Sequence, residues 1–279
     1  MKTLWLGRDY REAAVRQEGQ FPDSSHVRQI LDEDTTVIVP GGRISAVLLC
    51  DAIPPARHKL AYELWRTVGE LPSNRATAVG VPSLPRLKSD GTLGERRGVP
   101  RKVLEILKEL GARHGILGYL DATPDHPCHK TPLSIRRPEL LDGNRPLIEL
   151  VDALYKRHTP TFYAKQQAEV EKVPCWRLWN TVFSTVYIAK NFRTAYHTDS
   201  GNLRGVMSAM MPMGKFTGGE LILARWRIAI AYKPGDLLLF DPQQLHGNLP
   251  FEGERLSAIF YCERRIADCW QIGTIWSTN

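Results

Sequence analysis

Residues 218–240 read Gly218-Gly219-Glu220-Leu221-Ile222-Leu223-Ala224-Arg225-Trp226-Arg227-Ile228-Ala229-Ile230-Ala231-Tyr232-Lys233-Pro234-Gly235-Asp236-Leu237-Leu238-Leu239-Phe240. Three short β-prone blocks, Glu220–Ala224, Ile228–Tyr232 and Leu237–Phe240, are set apart by turn residues, Pro234-Gly235-Asp236 being the clearest. Short strands at roughly ten-residue spacing point to a sandwich or barrel. The same punctuation continues on both sides. Thr181–Ala189 is rich in β-branched and aromatic residues, Gly201-Asn202, Gly247-Asn248 and Glu252-Gly253 mark turns, and Leu256–Tyr261 reads as a further strand. Upstream, Thr35–Cys50 reads as two strands around Pro40-Gly41-Gly42. Pro55–Leu71, Arg101–Ala112, Pro146–Arg157 and Pro160 to about Val170 carry helical spacing of apolar residues. The expectation is an α+β fold in a single domain, 1–279. Its core is a C-terminal double-stranded β-helix (jelly roll) over 173–265, with helices and loops of a mixed, irregular N-terminal part, 1–172, packed around it.

With 43% apolar and 24% charged residues in 279, the chain can bury a core, which excludes a disordered, collagen-like or coiled-coil protein. No apolar run approaches the ~18 residues of a membrane span, and no charged-then-apolar leader is read, so an intracellular monomer without a membrane partner is expected, in cytoplasm or nucleus. Five cysteines, an odd number without a C-x-x-C, are expected to be reduced thiols. Lys+Arg exceed Asp+Glu by 37 to 30. Most of that surplus lies in the Pro-rich segment 71–102, where Arg75, Arg86, Lys88, Arg96, Arg97, Arg101 and Lys102 face Asp90 and Glu95, a net +5. Such a segment permits a polyanionic partner without requiring one.

His197-Thr198-Asp199 places two metal-capable side chains at i and i+2, on one face of an extended chain. His246 follows at the end of the Leu237–Phe240 block. Two imidazoles and one carboxylate are the facial ligand set of non-haem Fe(II) oxygenases, which leaves coordination positions open. His-x-Asp alone is weak and occurs by chance in many chains. Nine residues beyond His246, Arg255-Leu256-Ser257 sharpens it: a guanidinium fork and a hydroxyl, again i and i+2, suit the distal carboxylate of a dicarboxylate co-substrate such as 2-oxoglutarate. His126-Pro127-Cys128-His129 is a rival ligand cluster, but it is crowded into a Pro-rich turn and lacks a fourth partner.

On these residues the chain resembles the Fe(II)/2-oxoglutarate dioxygenases of the TET/JBP family, which oxidise the 5-methyl group of pyrimidine bases in nucleic acid. The likeness extends over Phe183–Val186, Asn191-Phe192, Thr194–Asn202, Gly218–Leu221, Pro234–Asp236, Leu239-Phe240 and His246-Gly247, with fainter echoes at Ser73–Ala76, Gly80 and Gly115–Asp121. The resemblance implies His197, Asp199 and His246 as iron ligands, Arg255 with Ser257 as the 2-oxoglutarate anchor, and O2 as oxidant. It further implies Asn202, Tyr261 and Glu263 as contacts to a base flipped out of double-stranded DNA. Arg75, Arg86, Lys88, Arg96, Arg97, Arg101, Arg136 and Arg137 become candidates for gripping the DNA backbone.

One departure bears on substrate. Where 5-methylcytosine oxidisers of the family tend to carry a His, eight residues after the anchoring Arg, this chain has Glu263. An ionised carboxylate only accepts hydrogen bonds, which leaves both 5-methylcytosine, the favoured base at this point, and thymine open. Tyr261 stands where AlkB-type demethylases have a second Arg, which disfavours that branch. A dioxygenase acting on a substrate other than nucleic acid and a catalytically silent DNA-binding module are the remaining alternatives.

Overall fold

The computed structural model describes residues 1–11, 14, 16–71, 77–81, 85–87, 93–95, 99–122 and 128–269. Strands β1 (Lys2–Trp5), β2 (Gln29–Leu31), β3 (Thr35–Val39) and β4 (Arg43–Leu49) open the chain and lead into helix α1 (Pro55–Trp65). A hairpin of β5 (Pro85–Leu87) and β6 (Leu93–Glu95) precedes α2 (Arg101–Glu109), β7 (Arg113–Leu120) and β8 (His129–Lys130). Helices α3 (Pro132–Arg136), α4 (Glu139–Asp142), α5 (Arg145–His158) and α6 (Pro160–Val170) follow. The remainder is β: β9 (Thr185–Lys190), β10 (Ser208–Gly218), β11 (Leu221–Leu223), β12 (Ile228–Ile230), β13 (Leu237–Phe240), β14 (His246–Asn248) and β15 (Phe251–Tyr261).

These strands form a nine-stranded sheet, ordered β1-β3-β4-β13-β10-β15-β9-β7-β8, and a four-stranded sheet, β14-β11-β12-β2. The two pack face to face as the expected jelly roll. Strand β13 shows why its sequence is apolar throughout. Leu237 and Leu239 enter the core beneath the helices, with Trp65, Tyr155 and Phe183, whereas Leu238 and Phe240 pack between the sheets against Leu223 and Ile230. A strand buried on both faces has no polar side to alternate with. Strand β15 does alternate. Leu256, Ala258 and Phe260 face the helices, so Arg255, Ser257, Ile259 and Tyr261 share the inner face. Among the described residues no helix is long and apolar enough to cross a membrane.

Three features depart from the sequence expectation. The N-terminal part does not merely wrap the jelly roll: β1, β3, β4, β7 and β8 extend the large sheet and β2 the small one. Strand β10 carries little strand signal, having three methionines, Pro212 and two glycines. Pro212 is tolerated because pairing with β13 ends at Met210, so that β15 alone flanks the strand there. Finally, Cys128 and Cys269 form a disulfide with Cα atoms 5.8 Å apart, across 141 residues of sequence, which corrects the expectation of five reduced thiols. Cys50, Cys175 and Cys262 are free. The bridge withdraws Cys128 from the rival ligand cluster, whose His126 lies outside the described residues.

Phe260 is fully buried, with its ring 6.0 Å from Trp65 and 5.8 Å from Phe183. Phe260→Ala is expected to cost about 3–5 kcal/mol through lost burial and the cavity left behind, read as a lower urea midpoint at unchanged m-value.

Candidate metal centre and co-substrate pocket

His197 and His246 are joined by an antiparallel bridge in which each backbone N–H donates to the other's carbonyl, at 2.9 and 3.0 Å. The ring centroids are consequently 4.5 Å apart. Each Nδ1 lies 2.8 Å from the backbone carbonyl two residues earlier, Ala195 for His197 and Gln244 for His246. An Nδ1–H donating there fixes the tautomer and leaves Nε2 with its lone pair outward, as a metal ligand requires. Asp199 presents Oδ1 at 3.5 Å from His197 Nε2 and Oδ2 at 3.7 Å from His246 Nε2. These separations are close to what ligands ~2.1 Å from a shared ion span. Burial, with His197 beside it, pushes the His246 imidazole down to about 4, so the ring is neutral at pH 7.

The surrounding chain holds this triangle. Gly247 follows His246 because a Cβ there would sit 2.9 Å from Pro22 and 3.1 Å from the Ala195–Tyr196 backbone. The Asp199 N–H donates to Pro242 O at 3.0 Å, and Gln243 Nε2 donates to Asp199 O at 3.0 Å. The Gln244 side chain accepts from Ser45 Oγ and Trp226 Nε1, each at 2.7 Å. Its backbone carbonyl is the one that orients His246.

The triad and Arg255 line one cavity, together with Ser257, Asn202 and Tyr261. Arg255 is 3% exposed, and among the described residues no carboxylate pairs with it. Its guanidinium carbon lies within 5.6 Å of the ring centroids of Phe216, Tyr232 and Phe251, and Nη2 donates to the Tyr232 hydroxyl. Its Nε–H is buried without a hydrogen-bond partner. Gly219 keeps the approach open, since a Cβ there would press within 3.3 Å of Arg255 Cδ and Nε. A buried, uncompensated guanidinium with an orphaned donor is costly by several kcal/mol. It fits the distal carboxylate of 2-oxoglutarate, as the His-Asp-His set fits ferrous iron.

Residues that the sequence reading missed reinforce this wall. Asn248 Oδ1 accepts from Thr194 Oγ1 at 2.7 Å, and Nδ2 lies 3.1 Å from Gly219 O and 3.3 Å from the Tyr232 hydroxyl. Asn248, two residues after His246 on β14, had an i, i+2 signal. Tyr232 had none, because only the meeting of two sheets brings it to Arg255.

The expected base contacts divide. Asn202 is on the cavity wall, its Nδ2 donating to Ser208 Oγ at 2.9 Å, and so is Tyr261. Glu263 is not on that wall. It is buried next to it, its carboxylate accepting from the Tyr261 hydroxyl at 3.1 Å, with a backbone bridge to Asn202.

Of the expected DNA-backbone residues, Arg75, Lys88, Arg96 and Arg97 lie outside the described residues, and Arg86 is placed only as part of β5. Arg101 is exposed and pairs with Glu105 at 3.2 Å. Arg136 meets Glu70 at 3.5 Å, and Arg137 meets Glu139 at 2.6 Å and Thr67 at 3.2 Å. Glu70 bridges His114, which registers with Ala189, whereas Tyr261 registers with Thr185.

The chain matches the Tet_JBP family, described as the oxygenase domain of the 2OGFeDO superfamily, over residues 116–264. It belongs to that family. The matched span contains every triad and anchor residue described above. The chain thus carries an oxygenase domain of the Fe(II)/2-oxoglutarate dioxygenase superfamily. Among relatives, the bifunctional helicase and thymine dioxygenase JBP2 of Leishmania infantum is 39% identical over 140 residues, 48% of this chain and 12% of that protein. The thymine dioxygenase JBP1 of Trypanosoma brucei brucei is 33% identical over 160 residues, 53% of this chain and 19% of that protein. The match therefore spans less than a fifth of either relative. The structure of NgTET1 in complex with 5mC DNA shares the fold, with a TM-score of 0.52 at 14% identity, covering 84% of this chain and 78% of that one.

Two expectations follow for this domain. Asp199→Asn should weaken Fe(II) binding by more than about tenfold, measured by anaerobic titration calorimetry. Arg255→Lys keeps the charge but loses the planar fork. It should raise KM for 2-oxoglutarate about tenfold or more with a smaller change in kcat, measured by succinate release.

Proposed function

We propose that this domain hydroxylates the 5-methyl group of a pyrimidine base in double-stranded DNA, and that thymine is the preferred base. Supporting the DNA substrate are the Tet_JBP membership and the fold shared with a DNA-bound neighbour. The choice of thymine is carried by the curated relatives, named thymine dioxygenases at 33–39% identity. It moves the proposal from 5-methylcytosine, which the sequence alone favoured. Glu263 agrees with the change. Set behind Tyr261 and holding its hydroxyl, the Glu263 carboxylate acts on the base only through Tyr261; thymine offers an N3–H where cytosine has a lone pair.

Ferrous iron with 2-oxoglutarate and O2 supplies the oxidant that turns a methyl C–H into C–OH, with succinate and CO2 as co-products. The protein's part is positional. Arg255, through its buried fork, and Ser257 hold the distal carboxylate of the co-substrate. Asn202 and Tyr261, on the same cavity wall, meet the base edge and face. A methyl group within the duplex cannot reach a buried centre, so the nucleotide leaves the stack, at a cost of a few kcal/mol. Contacts to the phosphates offset that cost. The basic segment 71–102 is a candidate for them, supported by the packing of its described core residues. Ala78, Val79 and Val99 pack with Tyr187, Phe192 and Tyr261.

The test is incubation with Fe(II), 2-oxoglutarate and duplex DNA containing both thymine and 5-methylcytosine, followed by nucleoside mass spectrometry. The expected product is 5-hydroxymethyldeoxyuridine. 5-Hydroxymethyldeoxycytidine alone would return the assignment to 5-methylcytosine. Succinate formation with neither product would overturn the DNA reading.

A further inference from the structure

Three arginines crowd one phenol ring at the metal end of the jelly roll. The guanidinium carbons of Arg8, Arg28 and Arg227 lie 4.8, 5.2 and 5.6 Å from the centroid of the Tyr10 ring. One cation over a ring face is favourable, but these three share a space about one Debye length across (~10 Å at 0.1 M salt) and repel one another. Among the described residues none of them pairs with a carboxylate. Asp9, their neighbour, is occupied by the Arg225 guanidinium and the Arg11 backbone N–H. Arg8 and Arg28 are exposed, and Arg227 donates to the Ser25 and His26 carbonyls.

The location of the cluster gives it meaning. In the β11–β14 ladder Leu223 registers with His246, and Ala224 N–H donates to Leu245 O at 3.0 Å. The turn Ala224-Arg225-Trp226-Arg227 therefore begins one residue beyond a metal ligand. Trp226 anchors this turn in the core, and Gln244, which accepts its indole N–H, also holds His246. Tyr10 N–H donates to Arg225 O at 2.9 Å and Arg28 N–H to Arg227 O at 2.7 Å, which ties all three segments together. Arg11 and Arg225 also line a groove that reaches Thr198, between two of the metal ligands; Glu18 and Asp241 line it too, Asp241 paired with Arg43 at 2.6 Å.

We propose that Arg8, Arg28 and Arg227, backed by Arg11 and Arg225, form a phosphate-binding patch that grips the DNA backbone beside the target nucleotide, an assignment that rests on the DNA substrate proposed above. Arg8 and Arg28, exposed over the ring, keep their in-plane N–H edges available for phosphate oxygens, while Arg227, whose Nε and Nη2 donate to the His26 and Ser25 carbonyls, adds its charge. Bound phosphates also relieve the mutual repulsion of the three cations. The patch is built from parts of the chain other than the basic segment 71–102.

The test compares the full chain with Arg8→Gln/Arg28→Gln and Arg8→Lys/Arg28→Lys, measuring duplex DNA affinity by fluorescence anisotropy between 0.05 and 0.3 M salt. Losing two phosphate contacts should lower the slope of log K against log salt by about 2 and weaken binding at 0.1 M roughly 10- to 60-fold. The Lys pair should keep nearly the full slope, which a purely structural role for the stacked guanidinium would not allow. Thermal unfolding checks the variants; should the double Gln variant melt early, Arg28→Gln alone should lower the slope by about 1. An unchanged slope and affinity in the Gln variants, with wild type oxidising DNA normally, would overturn the patch while leaving the substrate assignment intact. Failure of wild type to bind or oxidise DNA would sink the substrate assignment first and take the patch's partner with it. Competition by poly-glutamate as strong as by duplex DNA would reassign the patch to an acidic protein and overturn the proposal.

Discussion

Two backbone hydrogen bonds, exchanged between His197 and His246, are what the rest of this molecule is arranged around. They bring two imidazoles from distant parts of the chain to a ring separation of 4.5 Å, which neither side chain could enforce alone. The same backbone supplies the carbonyls of Ala195 and Gln244 that set the ring tautomers. Ligand geometry is thus a property of the sheet edge, and Asp199 needs only to sit two residues from His197 to close the triangle. The Gly247 requirement follows from that intimacy, because the strands approach too closely for a side chain.

The second constraint is electrostatic. Arg255 is buried among three aromatic rings with a hydroxyl for one N–H and nothing for Nε–H. Burying a cation this way weakens the free protein and strengthens its hold on an anionic co-substrate, since an anion entering the pocket restores a pairing that water no longer supplies. Stability given up at the anchor reappears as affinity. The patch around Tyr10 has the opposite character. Arg8 and Arg28 are exposed there, so their attraction is screened by salt.

Much of this was legible in the chain because the relevant signals are local. Alternation from Arg255 puts Arg255, Ser257, Ile259, Tyr261 and Glu263 on one face, which holds as far as the strand runs, to Tyr261, and the apolar Leu237–Phe240 run reads as a strand. His197-x-Asp199 and Arg255-x-Ser257 work the same way, since period-two geometry puts both members of each pair on one side. Where local signals conflict, the reading fails. In Ser208–Gly218 three methionines, a proline and two glycines conceal a central strand, which the packing of Met211 and Met213 under the helices explains only afterwards.

What the sequence determined by itself is most of the C-terminal strands, the longer helices and the two i, i+2 pairs His197-x-Asp199 and Arg255-x-Ser257, because each depends on neighbours a few positions away. Tertiary structure alone decided the pairing of Cys128 with Cys269, the position of Glu263 behind Tyr261 and the meeting of Arg8, Arg28 and Arg227 on Tyr10. Those are contacts between segments far apart in the chain. Their existence depends on how two sheets close on one another, and no periodicity along a single strand encodes that.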